Sequence, residues 1–334
     1  MRSTQLIAAL ALAGLGACET MEPSEPGALV PVTVTEDPTL PAIEMNGSRF
    51  HLETFGDPAD PVIVFLHGGP GGDYRSLLRL NEPQAGYRLS DEYFLVYWDQ
   101  RSAGLSARQG RESLTLDAYG ADLHELVERY SPGRPVFLVG ASWGGMYATR
   151  YIDEHPDRVA GAVLIEPGPL DGATYERVED DLFDADYGEE WLNDMIWSSQ
   201  FLSPDGHARM DYERLLALKE SQPRFHVATL HPEAMWRMGA AAGKYLQEDG
   251  EDDRGVAVYD FTANLSRYTT PVLFMAGARS EVLGEAFQRE QMTRYPSASI
   301  EVVPNAGHDV HWTHTREVQE AIRNYLSARR EGDA

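Results

Sequence analysis

Ten residues, Val136-Phe-Leu-Val-Gly-Ala-Ser-Trp-Gly-Gly145, constrain this chain more than any others. Four apolar residues run directly into Gly140-Ala-Ser142-Trp-Gly144, the G-x-S-x-G pattern, and Met146 to Tyr151 follow without Gly or Pro. That order predicts a buried strand, a sharp turn and a helix. Side chains at 140 and 144 would collide with the neighbouring strand and helix, and Ser142 is expected in a strained conformation that lifts its hydroxyl out of the turn. The five-residue pattern alone is equally a structural turn. Its flanking strand and helix make Ser142 the candidate nucleophile, and the rest of the chain must then supply a base, an acid and oxyanion donors.

The chain around this stretch alternates short apolar runs with amphipathic segments. His51 to Phe55, Pro61 to Leu66, Tyr93 to Trp98, Val159 to Ile165, Pro271 to Gly277 and Ser299 to Val303 read as further strands. Thr115 is placed to cap a helix with Leu116, Tyr119, Leu123, Val127 and Tyr130 on one face. A last helix from about Thr315 carries Val318, Ile322, Tyr325 and Leu326 on one face. Apolar strands separated by such helices predict an α/β fold, a mostly parallel sheet covered on both faces. Residues 43–169 and 262–330 supply this core. Residues 170–261 differ, with helical patterns at Glu190–Trp197, Tyr212–Lys219 and Pro232–Leu246 and no clear strand. They read as a helical cap inserted after the sixth strand, over the carboxyl ends of the strands where ligands bind.

The amino terminus reads differently again. Met1-Arg2, the apolar run Leu6–Leu15 and the small residues before Cys18 describe a secretory signal over residues 1–18, too short for a comfortable membrane span. Leu15-Gly-Ala-Cys18 resembles the lipobox of bacterial lipoproteins, which implies lipidation at Cys18 and an exported protein held at a membrane of the bacterial envelope. A plain signal peptide is the alternative. Cys18 is the only cysteine, so no disulfide framework exists. Residues 19–42, rich in Pro, Glu, Thr and Val, read as a flexible tether. The formal net charge of −25 argues against nucleic-acid binding, because phosphates would be repelled. Between Asp171 and Glu190 stand nine carboxylates and one Arg, a solvated acidic face or a field that attracts cations.

Among ten histidines, His308 follows a strand near the chain end, in Val303-Pro-Asn-Ala-Gly-His308, where a loop would bring it beside Ser142 as its base. His311 and His314 follow, but no further ligand pattern accompanies them, so they read as pocket-edge or surface residues and no metal is expected. The acid that orients the imidazole is expected between Ser and His in chain order, after a strand. The loop Gly277-Ala-Arg-Ser-Glu-Val-Leu-Gly284 contains one acid, Glu281, set one residue beyond Ser280, where an Asp is commoner. Asp309 is the competing acid. For the oxyanion, the Trp143 amide at the start of a helix is one expected donor. The other is an amide of His67-Gly-Gly-Pro-Gly71, with Gly69 favoured over Gly68.

His67-Gly-Gly-Pro-Gly71, Asp99-Gln-Arg-Ser-Ala-Gly-Leu-Ser106 and Gly140-Ala-Ser-Trp-Gly-Gly145, in this order and spacing, resemble the proline iminopeptidase family of α/β hydrolases over residues 43–330. The resemblance implies an α/β-hydrolase fold with a helical cap and a Ser-acid-His hydrolase that releases N-terminal residues, especially proline, from small peptides. It puts Ser142 as nucleophile, His308 as base, and Asp99 and Arg101 in a supporting loop. Ser102 stands where the family usually has Gly. The family's cap carries a Trp-Glu pair whose Glu holds the substrate amine; here Trp236, the counterpart substrate-binding residue, is followed by Arg237. Glu166, after the sixth strand, is then either an amine anchor or a structural carboxylate. An esterase or lactonase on the same scaffold and a non-catalytic binding protein are the competing readings. Ser142 also stands where haloalkane dehalogenases and epoxide hydrolases need a carboxylate. No motif implies a cofactor.

Overall fold

In the computed structural model the described residues are 30–182, 205–220 and 233–330. Residues 1–18 with Cys18, the Glu190–Trp197 pattern and much of the acidic run after Asp171 lie outside them. Eight strands form one sheet: β1 (Ala42–Met45), β2 (Ser48–Phe55), β3 (Val62–Leu66), β4 (Phe94–Trp98), β5 (Val136–Ala141), β6 (Val159–Ile165), β7 (Val272–Gly277) and β8 (Ala298–Val303). Their spatial order is β1-β2-β4-β3-β5-β6-β7-β8. β1 and β2 pair antiparallel, as do β2 and β4, and all other pairs are parallel. Every residue of β3, β4, β5 and β7 is buried, as uninterrupted apolar runs require when helices cover both faces. The sequence reading missed β1. Its signal is Asn46-Gly47 between Met45 and Ser48, both with positive φ, which is hairpin-turn chemistry.

On one face, helix α1 (Leu116–Tyr130) begins at Thr115, whose Oγ1 accepts from the Ala118 amide at 3.1 Å. Its Leu123 and Val127 join Tyr147 and Tyr151 of α2 (Trp143–Glu154) against Val64, Val96 and Leu138 of the sheet. On the other face, Val318, Ile322 and Leu326 of the last helix, Thr315–Arg330, pack on Ile63, Leu95, Val139 and Val163. Between β6 and β7 the chain forms α3 (Gly172–Leu182), α4 (Gly206–Glu220) and α5 (Ala240–Asp249), with no strand among the described residues of this insertion. Of the Pro232–Leu246 pattern, the described residues 233–246 are helical only from Ala240. Before it, the Trp236 and Arg237 amides are bonded to Asp73 and the Gly239 amide to Gly71 O, which holds this stretch against the core.

Residues 30–42 are packed on the body, against the expectation of a tether over residues 19–42. Val30, Thr33 and Val34 are buried, the Val34 amide donates to Leu105 O at 2.8 Å, and Arg237 Nη1 donates to Pro31 O at 3.0 Å. Val30 packs on Ala208 of α4. The folded body therefore includes residues 30–42, whose few apolar groups find partners far along the chain. Among the described residues no helix is long and apolar enough to cross a membrane.

Candidate active site

Ser142 occupies the turn between β5 and α2 with φ 53° and ψ −120°, a conformation that costs a non-glycine residue about 1–3 kcal/mol. The turn is held because the Ser142 amide donates to Ile165 O on β6. A Cβ at Gly144 would run into Leu66 O, and one at Gly140 into Gly144 O, so both glycines are sterically required. The first amides of α2 have no partner within their own helix and carry the positive end of its dipole. Trp143 supplies the first of them.

His308 lies on the loop after β8, and its Nδ1 is 2.8 Å from Glu166 Oε2. A carboxylate only accepts, so Nδ1 carries the proton and Nε2 is left as the basic nitrogen. Glu166 is fully buried directly after β6, with φ 41°. Its Oε1 accepts from the Gly277 amide at 2.6 Å and its Oε2 also accepts from Ser280 Oγ at 2.9 Å. The acid on the imidazole is thus Glu166, and the expectation of Glu281 is corrected. Glu281 is exposed; the buried residue of that loop is Ser280, and its hydroxyl is too short to be the acid but long enough to bond it. Asp309 is not the imidazole's bonded acid either. Glu166 is equally unsuited to anchor a substrate amine, since both its oxygens are engaged and sealed from solvent. Burial pulls the His308 pKa down, but the hydrogen bond and charge of Glu166 outweigh it, with Glu233 and Asp309 adding to the field, and the net shift is upward. Asp309 is itself raised, by burial first and then by Glu233.

The loop His67-Gly-Gly-Pro-Gly71 leaves β3 and passes beside Ser142. Gly69 has φ 123°, and a Cβ there would meet the amides of Gly71 and Gly72. A Cβ on Gly68 would come within 3.2 Å of Ser142 Cβ. The loop is braced by residues the sequence reading treated only as general support. Gln100 donates from its side-chain Nε2 to His67 O at 3.0 Å, gives its amide to His67 Nε2 at 3.0 Å, and accepts from Trp143 Nε1 at 2.8 Å. His67 Nδ1 donates to Gly68 O, and burial lowers the ring's pKa, so the imidazole is neutral. Asp99 accepts from the Tyr74 and Leu105 amides and from His51, and Arg101 forms a two-pronged ion pair with Asp122. Ser102 takes the left-handed conformation (φ 55°) that explains a usual Gly there, and its hydroxyl accepts from the Gln109 amide.

Ser142, Trp143, Gly68, Gly69 and His308 line one cavity of about 630 Å³ between the core and the insertion. Met146, Met238 and Leu246 give it an apolar wall, while Asp73 and Glu233 bring carboxylates to it. Glu233 Oε1 is 3.0 Å from Nε2 of His311, which is buried and also lines the cavity rather than the surface. Trp236, expected to bind substrate, is not among the lining residues. Its indole packs edge-on to His51 and Tyr74 beneath Arg75, and Arg237 is turned inward to Asp211 at 2.7 Å. Among the described residues no group of acidic, His or Cys side chains could hold a metal ion.

Residues 61–315 match the family model described as alpha/beta hydrolase fold. The chain is 22% identical over 297 residues to proline iminopeptidase PfmaB of Pestalotiopsis fici, covering 85% of this chain and 98% of that one. It is 25% identical over 276 residues to the sn-1-specific diacylglycerol lipase ABHD11 of Mus musculus, covering 81% and 83%. A solved structure of the proline iminopeptidase of Mycobacterium smegmatis superposes with a TM-score of 0.60 at 16% identity, covering 88% of this chain and 99% of that one. The match spans β3 to β8, the Ser142 turn and the His308 loop, and the chain belongs to the α/β-hydrolase fold family.

Proposed function

We propose that this protein is a serine hydrolase of the proline iminopeptidase type, removing N-terminal residues from small peptides with Ser142, His308 and Glu166. The observation that carries the reading is the Glu166–His308 pair, formed at the cavity that Ser142 lines from its strained turn. With Nδ1–H held by Glu166, His308 Nε2 takes the Ser142 proton as Oγ attacks the scissile carbonyl. The oxyanion of the tetrahedral intermediate is received by the Trp143 and Gly69 amides. His308 then returns the proton to the leaving amine, and water repeats the sequence on the acyl-enzyme. Glu233 supplies a carboxylate for the substrate's free amino group, three residues before Trp236 and on the cavity wall.

The test uses protein beginning at residue 30, a prolyl arylamide and a short-chain aryl ester, each with a Ser142→Ala control. Arylamide turnover lost in the control supports the reading, and Glu233→Gln should then raise KM for the arylamide about tenfold or more while leaving the ester unchanged. Ester turnover alone moves the function to an esterase. No Ser142-dependent turnover of either contradicts hydrolysis and favours a binding role. We place the protein at the bacterial envelope by lipid at Cys18; Cys18→Ser should release it from the membrane fraction.

A further inference from the structure

The cavity straddles the carboxyl edge of the sheet, and its two halves differ in chemistry. Over the face covered by the last helix it is polar. There Ser76 Oγ lies 3.1 Å and Glu233 Oε1 3.0 Å from His311 Nε2, while Leu77 packs with that face. His308 belongs to this half, three residues before His311 and within the field of Glu233. Over the face covered by α1 and α2 the cavity is apolar and aromatic. Met146 stands one turn along α2 from Ser142, about 6 Å away. A Cβ on Gly168 would come within 2.7 Å of its Sδ, so the two segments touch. Next along the wall, Tyr259 Oη donates to Pro169 O at 3.1 Å. The Tyr259 ring stacks on Phe261 at 4.8 Å and meets Tyr175 edge-on at 6.3 Å. Leu246 of α5 joins Phe261 in the core on this face. The wall is thus continuous from the nucleophile to three aromatic rings, and all five side chains line the cavity.

We propose that this aromatic half receives the side chain of the substrate's first residue and selects a large apolar group, aromatic above all, over proline. The inference rests on the aminopeptidase reading above. The acyl carbon of the tetrahedral intermediate has four substituents. Ser142 Oγ is one, the oxyanion faces the Trp143 and Gly69 amides, and the leaving nitrogen must face His308, which protonates it. The fourth is the Cα of the first residue. Its free amine is two bonds from the acyl carbon and turns toward Glu233, which leaves the side chain for the opposite half. A proline ring folds back onto its own nitrogen and cannot extend from Cα to the rings beyond Met146. A benzyl group can, and it exchanges water for ring-to-ring contact there.

The probes are the para-nitroanilides of phenylalanine, proline and alanine, which share one leaving group, so kcat/KM ratios report the first residue alone. Protein beginning at residue 30 is used, with Ser142→Ala as control and thermal melting of every variant. Phenylalanine should exceed proline by about thirtyfold or more and alanine by about tenfold or more. M146W narrows the aromatic half, and Y259A removes one of its rings. Each should lower the phenylalanine-to-alanine ratio about tenfold. A change that merely loosens the fold lowers both substrates together and leaves the ratio where it was. Proline turned over as well as phenylalanine, or better, overturns the inference, as does an unchanged ratio in a folded M146W or Y259A. Should neither variant fold, the wild-type order of the three anilides decides. Ser142-dependent turnover of none of them removes the aminopeptidase reading itself, and this inference with it.

Discussion

Glu166 and His308, 142 positions apart in sequence, meet at 2.8 Å because β6 and the loop after β8 flank β7 on its two sides. The carboxylate arrives from one neighbour of that strand and the imidazole from the other. β7 itself contributes the Gly277 amide and Ser280 hydroxyl that hold the carboxylate between them.

The first prediction concerns pH. His308 must be neutral to accept the Ser142 proton, and its pKa stands above the ordinary value of 6.5. The acid limb of kcat/KM should therefore have its midpoint above 6.5. Glu166→Gln removes the main raising influence and leaves burial to dominate, so any residual activity should titrate at lower pH. The same pair has a sign for stability: its contribution is full below the unfolded imidazole value and is lost as pH rises through the raised folded one. A pH–rate profile of both forms, with melting curves alongside, checks each statement.

A second prediction concerns Gln100. It bonds both the His67 loop and the Trp143 indole, so it couples the two segments expected to donate to the oxyanion. Replacing it with Leu keeps the size and removes the polar contacts. Turnover should fall by about tenfold or more with KM nearly unchanged, since the interaction it supports forms in the transition state. An equal rise in KM with kcat intact would show that Gln100 serves ground-state binding.

Third, the amino-terminal strap should matter to stability. Protein beginning at Ile43 loses the burial of Val30, Thr33 and Val34 and the Pro31 acceptor of Arg237. Each buried valine contributes about 1.5–3 kcal/mol, so the melting temperature should drop by roughly 5–10 °C relative to a start at residue 30. Equal melting temperatures would return these residues to the tether.

Much of this was legible in the sequence because its signals are local. Thr115, the α1 face, the parallel strands and the glycines around Ser142 each follow from spacing within one element. The missing parts are those that depend on which elements become neighbours. Glu166 looks like an ordinary carboxylate after a strand until β7 is known to run between it and His308. Glu281 is one residue from Ser280, whose hydroxyl bonds Glu166, and in a loop that single step turns a side chain from the interior to solvent. Trp236 was matched along the sequence, yet Asp73 grips the backbone at 236 and 237 and directs the indole against Tyr74. Glu233, which does reach the cavity, stands outside the Trp-Glu pattern. Val30, Pro31 and Val34 have linker composition, and their partners, Ala208, Arg237 and Leu105, lie far along the chain.

The most direct measurement is the turnover of Glu166→Gln beside that of Glu281→Ala, on whichever substrate wild type and Ser142→Ala distinguish. Glu166→Gln should lose on the order of a thousandfold in kcat, the scale of losing a triad acid, with Glu281→Ala within about threefold of wild type. The reverse order would return the acid to the β7 loop and contradict the arrangement described above.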